Sequence, residues 1–280
     1  VFRTFQTELE TVYEEYNMYQ DDRGNQLRNF VFENAFSNSP YGRSIIGLGD
    51  HLKNPQISKL IEFYNSWYVP ENMALILVGD IKTEEVAGLI NRKFGRLPAG
   101  NAPQSKVSRA SAFKGRKQVA ARIGQFPSLA LLYNGVPTGH EDGIALDIAT
   151  SMLSNTNRTG LLDKLVLDGD IMMAVASPLS FINDGRIIIQ VVPSYDYNQR
   201  RYESHRMVER LLSDQIAKLS KGEVEEWLLE SVKNNIIRNY LRSLESPRQK
   251  AYMVQEAFVA GYGMDYVLDY VSKVQAVSMD

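Results

Sequence analysis

The sequence has 280 residues, 44% hydrophobic and 23% charged, with 31 basic against 33 acidic side chains and no cysteine. That is a globular composition long enough for two domains, and its near-neutral balance gives no electrostatic reason to expect nucleic acid or an anionic membrane as partner. No apolar run approaches the ~20 residues of a membrane helix, so membrane insertion is not expected, and the missing cysteines exclude disulfide and thiol chemistry without fixing a compartment.

The chain opens on Val1 with nothing resembling a signal peptide, so it is expected to be a piece of a longer polypeptide. Residues 4 to 20 read as a helix, with Thr7-x-x-Glu10 as a short capping-box signature. A second helix is expected over 25 to 37, closed by Asn38-Ser39-Pro40, and glycine-rich loops follow around Tyr41-Gly42-Arg43 and Gly47-Leu48-Gly49-Asp50. Ile57 to Trp67 reads as a third helix. MALILVGDI (73–81) has the look of a buried strand, and a helix from Lys82-Thr83 to Phe94 carries apolar residues at helical spacing.

Residues 97 to 117 are rich in proline, glycine, serine and basic side chains, the best linker in the chain. Beyond it QVAARIGQF and SLALLYNGV read as strands, then His140 to Asn155 and Thr159 to Asp168 as helices. MMAVASPLSF and GRIIIQVVPS suggest a hairpin around Asn183-Asp184-Gly185. Helical patterns fill the rest: Tyr197 to Leu219, Glu223 to Leu244, Pro247 to Ala260, and Met264 to about Val274.

The order helix, helix, helix, strand, helix over 4 to 94 begins again over 223 to 275. The expected fold is therefore α+β, two related units that each pack a mainly antiparallel sheet with helices, the first lacking its N-terminal part. The boundaries expected are 1–100 for the first unit, 101–116 for the linker and 117–280 for the second, which lacks its last strand.

The most informative stretch is TELETVYEEYN, Thr7 to Asn17. At ~100° per residue, Leu9, Val12, Tyr13 and Tyr16 make one apolar face. Glu8 and Glu15 overlie each other at its edge, where half burial would demand a partner: arginine, hydrogen-bond donors or a metal. Glu10 and Glu14 point away. An acidic surface helix with no special role is the plain alternative. Zinc favours histidine beside carboxylate, yet His51, His140 and His205 are isolated in sequence and read as loop or surface residues. These residues alone are not expected to assemble a zinc site.

TELETVYEEYNMYQDD resembles the segment downstream of the zinc motif in insulinase/pitrilysin-type zinc metallopeptidases, the family of the mitochondrial processing peptidases. YGRSIIGLGDHLKN is similar to that family's Pro-Tyr-Gly loop, and FYNSWYVPENMALILVGDIKTEEVAGLINRKFGRLPAG to its Tyr-x-Pro-x-Asn-Met stretch, strand ending Gly-Asp, and helix leading to Phe-Gly-x-Leu-Pro. The likeness is strong over 7 to 100 and diffuse beyond.

The resemblance implies a zinc-dependent endopeptidase acting on peptides or small unfolded proteins. In the family, two histidines of an H-x-x-E-H helix and a later glutamate hold the ion; Glu15 matches that ligand and Glu8 a supporting carboxylate. Three protein ligands leave zinc a position for a water of lowered pKa. H-x-x-E-H is absent here and belongs upstream of Val1, so these residues alone should be inactive and bind no zinc. Many relatives carry an Arg and, seven residues on, a Tyr in the second unit; Val166 and Met173 stand there, and Met172 and Met173 read as core filler. The implied partners are a peptide substrate and either the rest of the same polypeptide or a homologous subunit. A bacterial periplasm or envelope location fits relatives of this look. The alternative is a scaffold or partner subunit with the same fold and no chemistry; a bare peptide-binding module gives the two glutamates no role.

Overall fold

The computed structural model describes residues 4–104 and 107–279. The N-terminal part is helical: α1 (Phe5–Asp21), α2 (Arg23–Ala35), α3 (Gly49–Lys53), α4 (Ile57–Trp67) and α5 (Thr83–Phe94), with single 3-10 turns at Pro40–Gly42 and Pro70–Asn72. Asp22 alone separates α1 from α2. Its extended backbone ends the first helix, and its side chain accepts from the backbone N–H of Asn25 at 2.7 Å to cap the second. The capping box expected at Thr7 does not form, because α1 already begins at Phe5 with Thr4 in the cap position, leaving Thr7 inside the helix.

The C-terminal part holds β1 (Leu129–Asn134), α6 (Gly143–Leu153), α7 (Leu161–Leu167), β2 (Ile171–Ser180) and β3 (Gly185–Pro193). A two-residue ribbon, β4 (Tyr195–Asp196) with β5 (Arg201–Tyr202), precedes α8 (His205–Ser220), α9 (Glu226–Ser243), α10 (Pro247–Val259), α11 (Asp265–Leu268) and α12 (Tyr270–Ala276). The main sheet is antiparallel in the order β1-β3-β2. Alternation along the strands sends Ala174, Ala176, Ile189 and Val191 into a core shared with Leu153 and Leu162 of α6 and α7 and with Val208 and Leu212 of α8. A second core joins Ile148 and Met152 to Leu228, Leu229 and Val232 of α9 and Val274 of α12. The architecture is thus α+β, antiparallel strands packed with helices.

Several elements differ from expectation. MALILVGDI forms no ladder: among the described residues no strand pairs with it, and Met73, Leu75, Leu77 and Ile81 are exposed. QVAARIGQF is likewise unpaired. Both runs have strand composition, but a strand exists only through partners, which composition does not supply. The pattern from Tyr197 is helical only from His205, its front being drawn into the ribbon, and the last helix breaks at Asp269 into α11 and α12. Met172 and Met173 are not core filler. They are 55% and 44% exposed, since the register shift between Ile171 and Met173 leaves both on the outer side of β2 while Ile171 stays buried.

Candidate functional site

α1 seats its aromatic face on α3. The rings of Tyr13 and Tyr16 stack with centroids 6.2 Å apart, and the Lys53 ammonium lies 5.7 Å from the centre of the Tyr13 ring. Tyr16 packs on Gly49 so closely that a Cβ there would meet the ring at 3.0 Å, and the ring would have to shift to admit a side chain. This packing sets the rotation of α1, and with it the direction of every glutamate.

Glu8 and Glu15 are exposed, as are Glu10 and Glu14. The half burial expected for the first pair is not found, because α3 covers only the tyrosine side and leaves the edge of that face open. Glu10 accepts from the Gln6 amide at 2.8 Å. No hydrogen bond or ion pair reaches the Glu8 or Glu15 carboxylate among the described residues. Two turns of helix place one above the other with backbones ~10 Å apart.

Among the described residues no three His, Cys, Asp or Glu side chains converge at metal-binding range. His51 lies in α3, His140 sits in a turn with Nδ1 3.6 Å from the Asp142 carboxylate, and His205 opens α8. The donor set on α1 therefore does not fit a zinc ion by itself. What α1 presents is two exposed carboxylates, without a partner among the described residues, on one side of a helix braced from behind.

Sequence reading missed the buried polar cluster where α2 meets the hairpin of β2 and β3. Asp184 and Arg186 are only 5% and 4% exposed, and Ser39 4%. The Asp184 carboxylate accepts from the Ser39 hydroxyl at 2.9 Å and from the Ala110 backbone N–H at 3.0 Å. Arg186 donates from Nε to the Ala35 carbonyl, from one terminal nitrogen to Gly185, and from the other to Ser111, all at 2.8–2.9 Å. Its guanidinium lies 5.5 Å from the Phe36 ring centre and 4.7 Å from that of Phe113. Burial pulls the Arg186 pKa down, and the Asp184 charge opposes that pull. The only sequence signal was Asn183-Asp184-Gly185-Arg186, which reads as an ordinary turn.

Val166 is half-buried and packs on the core of the sheet, and Met173 faces outward on the opposite side of β2. The two are not brought together. An apolar cavity of about 460 Å³ lies among β1, β3, α6, α8 and α9, lined by Tyr133, Leu146, Ile189 and Leu219 among others, with none of its walls from α1.

Similarities to known proteins fit this arrangement. The zinc protease PqqE of Helicobacter pylori is 24% identical over 244 residues, 85% of this chain and 51% of that protein. The probable zinc protease PqqL of Escherichia coli is 36% identical over 97 residues, 34% of this chain and 10% of that one. The chain thus spans about half of the first relative and a tenth of the second. The crystal structure of the first half of the periplasmic protease PqqL from Escherichia coli matches with a TM-score of 0.70 at 17% identity, over 100% of this chain and 62% of that one, a likeness that carries the fold. Residues 56–236, well over half of the sequence, match the family described as the Peptidase M16 inactive domain. The resemblance to insulinase/pitrilysin-type zinc peptidases is borne out, and the chain belongs to the M16 peptidase family.

Proposed function

We propose that the intact protein is a zinc-dependent metalloendopeptidase acting on peptides or small unfolded proteins, and that these residues supply the downstream wall of its site. In this reading the Glu15 carboxylate is one zinc ligand and Glu8 orients and supports it. The observation that carries it is the pair itself, two exposed carboxylates with no partner among the described residues, one above the other on α1, in a family whose relatives are named zinc proteases. Zinc supplies an activated water and polarises a carbonyl when bound; the remaining ligands come from outside the described residues. Residues 1–100 belong to a first peptidase-like domain, 101–116 to a linker and 117–280 to a second. The isolated chain is inactive, and its partner is the rest of the same polypeptide or a homologous subunit. By analogy with the periplasmic relative, the protein works in a bacterial envelope.

The test is the zinc content and peptide hydrolysis of the intact protein. Glu15→Gln is expected to abolish both, and Glu8→Gln to weaken zinc binding about 10–100-fold. Glu10→Gln and Glu14→Gln leave both unchanged. Full zinc occupancy in Glu15→Gln sinks the assignment. The family description of an inactive domain supports a second reading, a scaffold subunit with no chemistry. An intact protein that purifies without zinc and cleaves no unfolded peptide establishes that one instead.

A further inference from the structure

We propose that Asp184 and Arg186 are positioning residues: they form a joint that fixes the glutamate helix α1 against the three-stranded sheet. The joint gathers three stretches of chain at one buried point. From the N-terminal part come the last carbonyl of α2, at Ala35, and the Ser39 hydroxyl. The connecting stretch brings the Ala110 N–H and the Ser111 carbonyl, and the sheet brings Asp184 and Arg186 from the tip of the hairpin.

An aromatic stack closes the same point. Tyr41 lies on Phe181 with ring centres 4.4 Å apart, and Phe36 meets the Phe181 edge at 5.2 Å. The connecting stretch is also stitched to the sheet: the Asn134 side chain accepts from the Phe113 N–H at 2.9 Å and donates to the Phe113 carbonyl at 3.2 Å.

A buried guanidinium answered by three carbonyls and flanked by two rings has a single low-energy pose. An apolar contact would slide, whereas displacing this one strands a charge. The pose passes to α1 through two rigid steps. α2 is held at its C-terminal end by Arg186, and its N-terminal end is one residue from α1, with Asp22 as the shared cap. α1 packs on both α2 and α3, so the three helices form one block. The orientation of Glu8 and Glu15 relative to the sheet is therefore set more than 150 residues away in sequence.

The consequence for catalysis rests on the zinc-peptidase reading; the geometry does not. Distances measured in metal-free intact protein separate the two, since a failure of zinc binding leaves them unaffected. These 280 residues hold no cysteine, so spin labels can be placed by Met18→Cys on α1 and Lys221→Cys after α8, once any cysteine elsewhere in the polypeptide is removed. A control pair, Leu167→Cys and Lys221→Cys, lies wholly within the C-terminal part.

Pulsed electron resonance is expected to give one narrow distance for each pair. Arg186→Met should split or broaden the α1 distance and leave the control distance sharp. Ser39→Ala, which removes one partner without touching the sheet, should broaden the α1 distance less and decides the matter if Arg186→Met does not fold. An unchanged α1 distance in the folded variants overturns the proposal. So does equal broadening of both pairs, which makes the cluster a general support of the fold.

Discussion

Ser39 and Asp184 are joined by a hydrogen bond of 2.9 Å across 145 positions of sequence, and both are almost completely buried. The bond carries information no local pattern holds, since it ties the loop after α2 to the tip of a hairpin. Asp184 also accepts from the Ala110 N–H, and its charge sits beside buried Arg186. Removing it strands a hydroxyl and an amide and takes a negative charge from beside the guanidinium, which keeps its three carbonyls. Asp184→Ala is expected to cost about 2–5 kcal/mol, read as a lower midpoint of urea unfolding at an unchanged slope. A cost below about 1 kcal/mol would mean that solvent reaches the cluster and replaces the lost carboxylate.

The next residue makes a separate prediction. A Cβ on Gly185 would lie 2.0 Å from the Val136 carbonyl oxygen, where the Gly135 N–H donates to the Gly185 carbonyl at 3.1 Å. The obstacle is the Val136 backbone, and no rotamer relieves it. Gly185→Ala should therefore cost about 3 kcal/mol or more, the scale of a forced backbone shift. Gly143 is the control: it opens α6 with nothing within 4 Å of a built Cβ. Gly143→Ala should be neutral or stabilise by about 0.5–1 kcal/mol. Equal effects at the two positions would refute the close approach.

Asp163 shows the same logic inside one turn. It is 1% exposed, accepts from the Asn155 and Gly160 N–H groups at 2.9 Å each, and lies 3.3 Å from the Ser154 hydroxyl. Among the described residues no cation pairs with it, so the α6–α7 turn holds the carboxylate with backbone N–H groups and the Ser154 hydroxyl. Asp163→Ala leaves two buried N–H groups unpaired and is expected to cost about 2–5 kcal/mol. Asp163→Asn keeps an acceptor and should recover part of that. Identical midpoints for the two variants would show that the turn does not depend on these bonds.

How much of this was legible depends on how local each signal is. α4 and the β2–β3 hairpin match their patterns because helical periodicity and a turn tripeptide act over a few residues. MALILVGDI and QVAARIGQF were misjudged because a ladder needs a second strand that the run itself cannot show. On α1 the apolar face was correct, and Tyr13 and Tyr16 do pack, but burial at its edge depends on how wide a neighbour is. α3 has five residues and stops short of Glu8 and Glu15. Asp184 and Arg186 were invisible as a pair with Ser39 and Ala35 because a hairpin tip is ordinarily solvated, and only the arrival of α2 buries it.

Asp147 supplies a pH dependence with a definite sign. It lies half-buried on α6, facing Tyr266 and Tyr270, with no hydrogen bond or ion pair to its carboxylate among the described residues. Burial raises its pKa from 3.8 to about 6, and burial with the neighbouring Asp147 charge pushes the Tyr270 phenol up to about 12. A carboxylic acid with a raised folded-state pKa binds its proton more tightly in the native state, so acid favours the fold at this site. The contribution is full below 3.8 and is lost as pH rises through about 6. The shift of about two units would convert to ~3 kcal/mol if fully expressed; partial solvent access reduces this to about 1–2 kcal/mol. Asp147→Asn removes the titration and keeps the shape. At pH 8 the variant should be the more stable by that amount, and below pH 4 the advantage should vanish. The measurement is the difference in unfolding free energy between the two proteins from pH 4 to pH 8, which cancels every other titrating group. A difference that stays flat across the window would mean that Asp147 is solvated like any surface carboxylate.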